Sequence, residues 1–397
     1  MPRPAYELAG IFRQHGPAYR AAHPLSRQQL RAMRAIEICR TATLGAHVEE
    51  CSQCRHIRIS YNSCRNRHCP KCQNAERAKW LEDRKAQLLP VEYFHVVFTL
   101  PEEAARIAFH NQTLVYNLLF RAASETLLTI ARDPKHLGAQ IGFFGILHTW
   151  GQNLLYHPHL HCVVPGGGLS PDRDRWVSCR AGFFLPVRVL SRLFRRLFLA
   201  GLEKAFRDGQ LRFSGVLENL AQPAAFSRYL APLGQQEWVV YAKPPFGGPR
   251  QALEYLGRYT HRVALSNDRI RAVGNGHVTF QWKDYRRAGR AKSRVMTLAA
   301  EEFIRRFLLH VLPPGFQRIR HFGLLANRHR EQLLALCRHL LTPAADLLPP
   351  PKVCRQLAQA LAARPLPRCP QCGAGLMITV GFRPAYRWPA VPPADSS

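Results

Sequence analysis

No run of apolar residues in this chain approaches the ~18 that a membrane-spanning helix needs. Its opening residues, MPRPAYELAG, contain no signal-peptide core. These absences exclude the membrane-spanning and secreted classes and lead us to expect a soluble, cytoplasmic protein. Acidic residues are scarce as well: 26 Asp and Glu stand against 56 Lys and Arg, a formal charge of +30. An excess of that size calls for a polyanionic partner, nucleic acid first and an anionic membrane a distant second. No internal repeat is apparent.

What is present is enough for a globular protein. Hydrophobic residues make up 47% of the 397 positions, sufficient for a real core and for two or three domains. The twelve cysteines fit a reducing compartment only as thiols or metal ligands rather than disulfides. Two close pairs, Cys51-x2-Cys54 and Cys69-x2-Cys72, have the arrangement of a four-cysteine zinc ribbon. Cys64, His56 and His68 are spare donors within the same stretch. A third pair, Cys369-x2-Cys372, is half of a possible second zinc site, with Cys337 and Cys354 upstream as candidates to complete it. Arg55, Arg65, Arg67 and Lys71 stud the ribbon and are candidate phosphate contacts.

Periodicity supplies the outline. Two helices are expected before residue 48, the second capped by Ser26. Strands are expected at 93–100, 141–150 and 157–164, with helix over 102–132 between the first two. A short strand and an amphipathic helix cover 183–206, and a further strand 237–243. A helix over 250–261 follows, then a hairpin turning at Asn275-Gly276, where Asn-Gly favours a type I′ turn. A strand leading into a helix comes next, and beyond Pro313 the chain reads as basic and helical to about residue 341. Near the hairpin, Phe280, Trp282, Tyr285, Arg286 and Arg287 can either stack on single-stranded bases or pack in a core.

Two constellations carry chemistry. In HPHLHCVV, residues 157–164, alternation along a strand puts His157, His159 and His161 on one side. Several imidazoles on a sheet are costly to bury unless a metal, a phosphate or a hydrogen-bond network satisfies them. In the helix at 250–261, Tyr255 and Tyr259 are four apart and share a face, with Arg258 and Arg262 bringing positive charge beside them. A phenol, with its pKa near ~10, is a poor nucleophile at neutral pH. A divalent ion on the histidines would polarise a phosphodiester for a tyrosine to attack.

The stretches HTWGQNLLYHPHLHC, YLGRYTHR and YNSCRNRHCPKCQ resemble those of the insertion-sequence-91 family of bacterial transposases, two-tyrosine HUH (His-hydrophobic-His) enzymes of the rolling-circle type. The resemblance runs from about residue 10 to residue 330. It implies an α+β fold: an HUH endonuclease domain with a central antiparallel sheet flanked by helices, an N-terminal helical and zinc-ribbon domain, and a basic helical C-terminal region. The corresponding divisions are 1–90, 91–300 and 301–397. It also implies that His159 and His161 are metal ligands, that Tyr255 and Tyr259 are paired nucleophiles, and that the substrates are single-stranded DNA ends of the element and its target. Host replication machinery is an implied partner. For the third ligand His148, on the preceding strand, is preferred, then Gln152, then His157. Imidazoles alone suit zinc, manganese or nickel, whereas the resemblance implies Mg2+ or Mn2+.

Two other readings compete. HPHLHCV also satisfies the pattern of histidine-triad nucleotide hydrolases, which leaves the tyrosines without a role. A catalytically silent zinc-ribbon DNA-binding protein explains charge and cysteines but not the histidines. Oligomeric state is not legible.

Overall fold

Ser26 accepts a hydrogen bond from the Gln29 amide, and the Gln29 side chain accepts one from the Ser26 backbone, a reciprocal cap that starts a helix. The computed structural model describes residues 4–73, 87–243, 264–284, 293–342 and 366–386. The chain divides into two units, Met1–Asn74 with Leu348–Ser397, and Ala75–Leu347. The tail thus belongs with the N-terminal residues, not with a separate region beginning at 301 as the sequence suggested.

In the first unit, helix α1 (Leu8–Ala22) packs on the capped helix α2 (Arg27–Glu37) through Ile11, Phe12, Met33 and Ile36, all buried. The buried Glu37 carboxylate is paired with Arg20 at 2.6 Å. A three-stranded antiparallel sheet follows, with β1 (Ala46–Cys51) between β2 (Ile57–Tyr61) and the tail strand Met377–Arg383.

The second unit is built on a five-stranded antiparallel sheet. Its strands are β3 (Tyr93–Thr99), β4 (Gly142–Trp150), β5 (Tyr156–Pro165), β8 (Val240–Lys243) and β12 (Ile319–Gly323), in the order β12-β4-β5-β3-β8. Alternation sorts its faces. Phe94, Val96, Phe98, Phe143, Leu147, Leu160, Cys162 and Val164 point to one side, into the main core. There they meet Leu119, Phe120 and Leu127 of α4 (Gln112–Arg132), Phe194 and Phe198 of α5 (Val187–Arg207) and Phe226 of α6 (Pro223–Gln235). The opposite face carries a small apolar cluster of Tyr93, Phe144, Ile146 and Val163, and beside it the histidines.

Three expectations change here. The helix expected over 102–132 is two, α3 (Glu102–His110) and α4, because Asn111 breaks it. Asn111 donates to the Ile107 and Arg212 carbonyls and accepts from the Arg212 amide. Residues 183–186 form no strand before α5. Beyond Pro313, β12 precedes helix α8 (Arg330–Leu341). The alternation of β12 is disguised by Arg320, which lies over the Phe120 ring at 4.2 Å and donates to Asn117.

A small ribbon, β6 (Gly167–Leu169) with β7 (Trp176–Ser178), follows β5. A second three-stranded sheet pairs β9 (Ile270–Gly274), β10 (His277–Lys283) and β11 (Ser293–Ala299), backed by α7 (Ala300–Leu308). Its turn has Asn275 and Gly276 at φ 49° and 71°, as a type I′ turn requires. Phe280 is buried against Phe303, so it belongs to a core and not to a stacking surface.

This module reaches the β4–β5 turn. Arg269 Nη2 donates to Gln152 O at 2.5 Å, Arg306 Nη1 to Asn153 O at 3.3 Å, and His310 Nε2 to Leu154 O at 3.1 Å. Three consecutive carbonyls are therefore held by three basic side chains, and Leu154 keeps a left-handed φ of 64°.

Two tests of this packing follow. Gly323, at φ 56°, ends β12 where a Cβ would overlap the Ile141 carbonyl oxygen. Gly323→Ala is expected to cost about 2 kcal/mol or more in urea unfolding. His310 is fully buried, and burial pushes its pKa down to about 4, against ~6.5 for an unfolded histidine. As pH falls below ~6.5 the unfolded chain takes up a proton that the native ring refuses until about 4. Stability should therefore drop across that window by up to about 3 kcal/mol from this residue and level off below it. Unfolding curves of His310→Gln should show that share of the pH slope removed.

Candidate metal centres

The register of β4 on β5 sets His148 directly opposite His159, with His161 one step along the same face opposite Ile146. One ring nitrogen from each of His148, His159 and His161 lies within 4.8 Å of the other two. The rings stand at steep angles, 63° between His148 and His161 and 69° between His159 and His161, so their edges converge instead of stacking. Trp150 stacks on His148 at 4.6 Å and fixes its plane. His157 is exposed and outside this group. Between the His148–His159 and Trp150–Tyr156 pairs β5 has one more residue than β4, a bulge that interrupts the strict alternation. Gln152 lies in the clamped turn.

Hydrogen bonds bear on where the lone pairs point. His159 Nδ1 donates to its neighbour's carbonyl, His157 O, at 2.6 Å, which leaves Nε2 to accept. His161 Nδ1 lies 2.7 Å from His95 Nε2, with the two rings parallel at 4.9 Å. With the proton on His161 Nδ1 and His95 Nε2 accepting it, His161 Nε2 is a ligand nitrogen. Burial pushes His159 down to about 4 and His95, with help from Lys243 and His159, to about 3. Both are neutral at physiological pH, the state a metal ligand must have. His95 sits mid-strand in YFHVVFTL. A lone histidine inside such an apolar run was the one signal for it, and the sequence reading passed over it.

The cysteines gather differently from the expected ribbon. Cys51, Cys54, Cys69 and Cys72 are split between two groups, Cys39 with Cys64, Cys69 and Cys72, and Cys51 with Cys54, Cys369 and Cys372. Both consist of cysteine alone, so neither His56 nor His68 takes part. The groups sit at opposite ends of the β1–β2 hairpin: Cys51 and Cys54 at its turn, Cys64 just past its open end, where the Arg40 amide also bonds Asn62 O. The six residues of β1 separate them by about 20 Å at strand rise, too far for a single ion. Cys39 follows α2 directly, and it alone lacks a close sequence partner, which hid it. In its group the Sγ atoms of Cys39 and Cys64 each lie 3.6 Å from that of Cys72. Bonds from Cys64 and Cys69 draw the Cys39 thiol down to about 7. Cys337 is buried in an apolar cluster of its own, and Cys354 lies outside the described residues.

Of the candidate DNA contacts, Arg55 is exposed but paired with Glu50, Arg65 is exposed, Arg67 is half-buried, and Lys71 is paired with Glu7 at 2.6 Å. Tyr255, Tyr259, Arg258 and Arg262, with Tyr285, Arg286 and Arg287, lie outside the described residues. Among the described residues no helix is long and apolar enough to cross a membrane.

Comparison with known proteins agrees with both halves of this arrangement. A family described as "Transposase zinc-binding domain" matches residues 11–100, and one described as "Putative transposase" matches 142–332, the span that holds all three converging histidines. A Sinorhizobium fredii protein named "Putative transposase y4qJ" is 62% identical over 384 residues, 96% of each chain. The "Transposase for insertion sequence element IS801" of Pseudomonas savastanoi pv. phaseolicola is 28% identical over 351 residues, 87% of this chain and 82% of that one. No solved structure matches. With its zinc-binding segment, its transposase segment and full-length relatives of the same kind, the chain belongs to the insertion-sequence-91 family of transposases.

Proposed function

We propose that this transposase cuts and rejoins single-stranded DNA at the ends of a mobile element through 5′-phosphotyrosine intermediates, by a rolling-circle route. The observation that carries the reading is the convergence of His148, His159 and His161 on the sheet face opposite the helical core. The donor set fits a divalent ion. It offers three imidazole nitrogens, one of them with the lone pair fixed by a hydrogen bond at the other ring position and a second set by the His95 contact once His161 Nδ1 holds the proton. Manganese reconciles these imidazoles with the oxygen-rich phosphate substrate better than magnesium does. A bound ion supplies Lewis-acid polarisation of the scissile phosphate.

Tyr255 and Tyr259 are assigned as the nucleophiles on the strength of the sequence. The tyrosine oxygen forms a bond to phosphorus and the bond from phosphorus to the 3′ oxygen breaks. The phenol proton goes to solvent or base, and the 3′ oxygen leaves as a hydroxyl. A later 3′-hydroxyl reverses these events and frees the tyrosine, so the bond is conserved, not hydrolysed. Two tyrosines let two 5′ ends be held at once. His95 acts as a positioning residue for His161. The first zinc belongs to Cys39, Cys64, Cys69 and Cys72, all inside the zinc-binding segment, with exposed Arg65 beside it and Arg55 at the far end of the hairpin as candidate phosphate contacts. The excess positive charge and the family's mode of replication make single-stranded DNA and the host replication machinery the expected partners.

A labelled single-stranded oligonucleotide carrying the element's end, incubated with manganese and the protein, should yield a covalent adduct on a denaturing gel. Tyr255→Phe or Tyr259→Phe alone should leave an adduct, and the double variant none. An adduct that survives both changes would remove the tyrosines from the mechanism, and metal-free activity on mononucleotides would favour a histidine-triad hydrolase. His95→Gln should weaken manganese affinity about 10–100-fold, by calorimetric titration, with adduct yield returning at high manganese. Unchanged affinity would make His95 a packing residue only.

A further inference from the structure

We propose that Cys51, Cys54, Cys369 and Cys372 form a second zinc site, through which the C-terminal tail completes the N-terminal zinc-binding domain. The family match to that domain stops at residue 100, so it contains only half of the donors.

The sulfur geometry is that of a tetrahedral thiolate site. Cys51 Sγ lies 3.7 Å from Cys372 Sγ, and Cys54 Sγ lies 3.7 Å from Cys369 Sγ. Four sulfurs at ~2.3 Å from a central zinc stand about 3.8 Å apart. A disulfide would hold them at about 2 Å, so these thiols are spaced for an ion between them and not for a bond to each other.

Each pair is also folded as a ligand knuckle, and the two share the bond from the amide two residues on to the first sulfur. The Gln53 and Cys54 amides donate to Cys51 Sγ. On the tail the Gln371 amide donates to Cys369 Sγ and the Gly375 amide to Cys372 Sγ, each of the four at 3.4 Å. The residue after each second cysteine is left-handed, Arg55 at φ 61° and Gly373 at φ 70°, and its amide bonds the carbonyl of the first cysteine. An arginine held in that conformation is strained. Gly375 is packed so closely that a Cβ there would overlap Cys51 Sγ. Backbone thus approaches sulfur from the opposite end of the chain.

The tail's own apolar contribution is small. Its described residues contribute one strand, whose Ile378, Val380 and Phe382 are all exposed, and a core of Cys51, Cys369 and Met377. So small a core is typical of folds that exist only with their metal. The tail strand nevertheless pairs along all of β1, and the Ser52 and Leu376 segments exchange hydrogen bonds beside the site. Zinc at this site would fasten positions 315 and 321 residues apart and enclose the whole catalytic unit in the loop between them.

The test reads thiol protection and metal content in the full chain. Cys54 and Cys372 are exposed, so without metal iodoacetamide should label them readily, whereas buried Cys337 is an internal control. In zinc-loaded protein, mass mapping should find Cys51, Cys54, Cys369 and Cys372 protected together, and a chelator should release all four. Cys369→Ser with Cys372→Ser should lose one zinc equivalent relative to the wild type and retain the equivalent at Cys39, Cys64, Cys69 and Cys72. Rapid labelling of Cys54 and Cys372 in zinc-saturated wild-type protein would overturn the proposal, and so would undiminished zinc content in the double variant. The wild-type labelling stands even if that variant fails to fold.

Discussion

Everything proposed for the catalytic face depends on the pairing of β4 with β5. In a strand, a shift of one residue sends every side chain to the other face. One step of slippage would turn His159 and His161 into the helical core and bring Leu160 and Cys162 out. The core side forbids this, because Leu147 and Leu160 are both buried in it and a histidine could not replace them without partners. The turn adds a second constraint. Arg269, Arg306 and His310, from three different points in the smaller sheet module and its helix, hold the carbonyls of residues 152, 153 and 154. A loop that could adjust the register is therefore anchored at each peptide. The module whose hairpin left base stacking and core packing as alternatives serves, through these bonds, to hold the histidine hairpin.

The first unit solves another problem. Among the described residues of this unit, helices α1 and α2 and the three-stranded sheet offer little apolar volume, and much of the sheet is exposed. Domains of that size are stabilised by metals or cross-links as a rule. Here a thiol group lies at each end of one hairpin, so any rearrangement of β1 against β2 would disturb both. Four thiolates in contact cannot all ionise unless a cation neutralises them. Metal binding at the proposed sites and folding would for that reason be a single equilibrium, not a scaffold with an ion added.

Much of this was legible in the sequence, and the limits have physical causes. The β3, β4 and β5 strands, the Asn275-Gly276 turn and the Ser26 cap follow from local rules, which need only neighbours to act. His148 is preferred over His157 through the family resemblance, which draws the third ligand from a neighbouring strand, and the register sets it opposite His159. The cysteine partners were not legible: close spacing identifies which two sulfurs share a knuckle but not which knuckles meet. Cys51-Cys54 and Cys69-Cys72 are near in sequence, yet a hairpin stands between them, and the sulfurs gathered beside them come from Cys39 and Cys64 and from the far tail. β12 was missed because Arg320 occupies a position that alternation reserves for an apolar side chain, and it is accommodated by the rings of Phe120 and Phe316. His95 was missed because its role depends on the strand lying beside it. The tyrosines, in contrast, rest on the sequence alone.

The chemistry of the donor set explains why scarce acidic residues suit this site. Carboxylates are the usual ligands for magnesium and manganese, but each would cancel one unit of the ion's charge. Neutral imidazoles leave that charge whole. Among the described residues the group of three contains no Asp or Glu. Under the proposed function, a phosphodiester approaching such an ion would meet its full attraction, in a chain already strongly positive. Cost falls on affinity for the ion, since neutral ligands hold a hard cation less firmly. The fixed tautomer of His159, the His95 contact at His161 and the stacked plane of His148 offset part of that cost, because the nitrogens need little reorganisation to bind. Positioning replaces ligand charge, and for that reason the side chains behind the histidines matter as much as the histidines themselves.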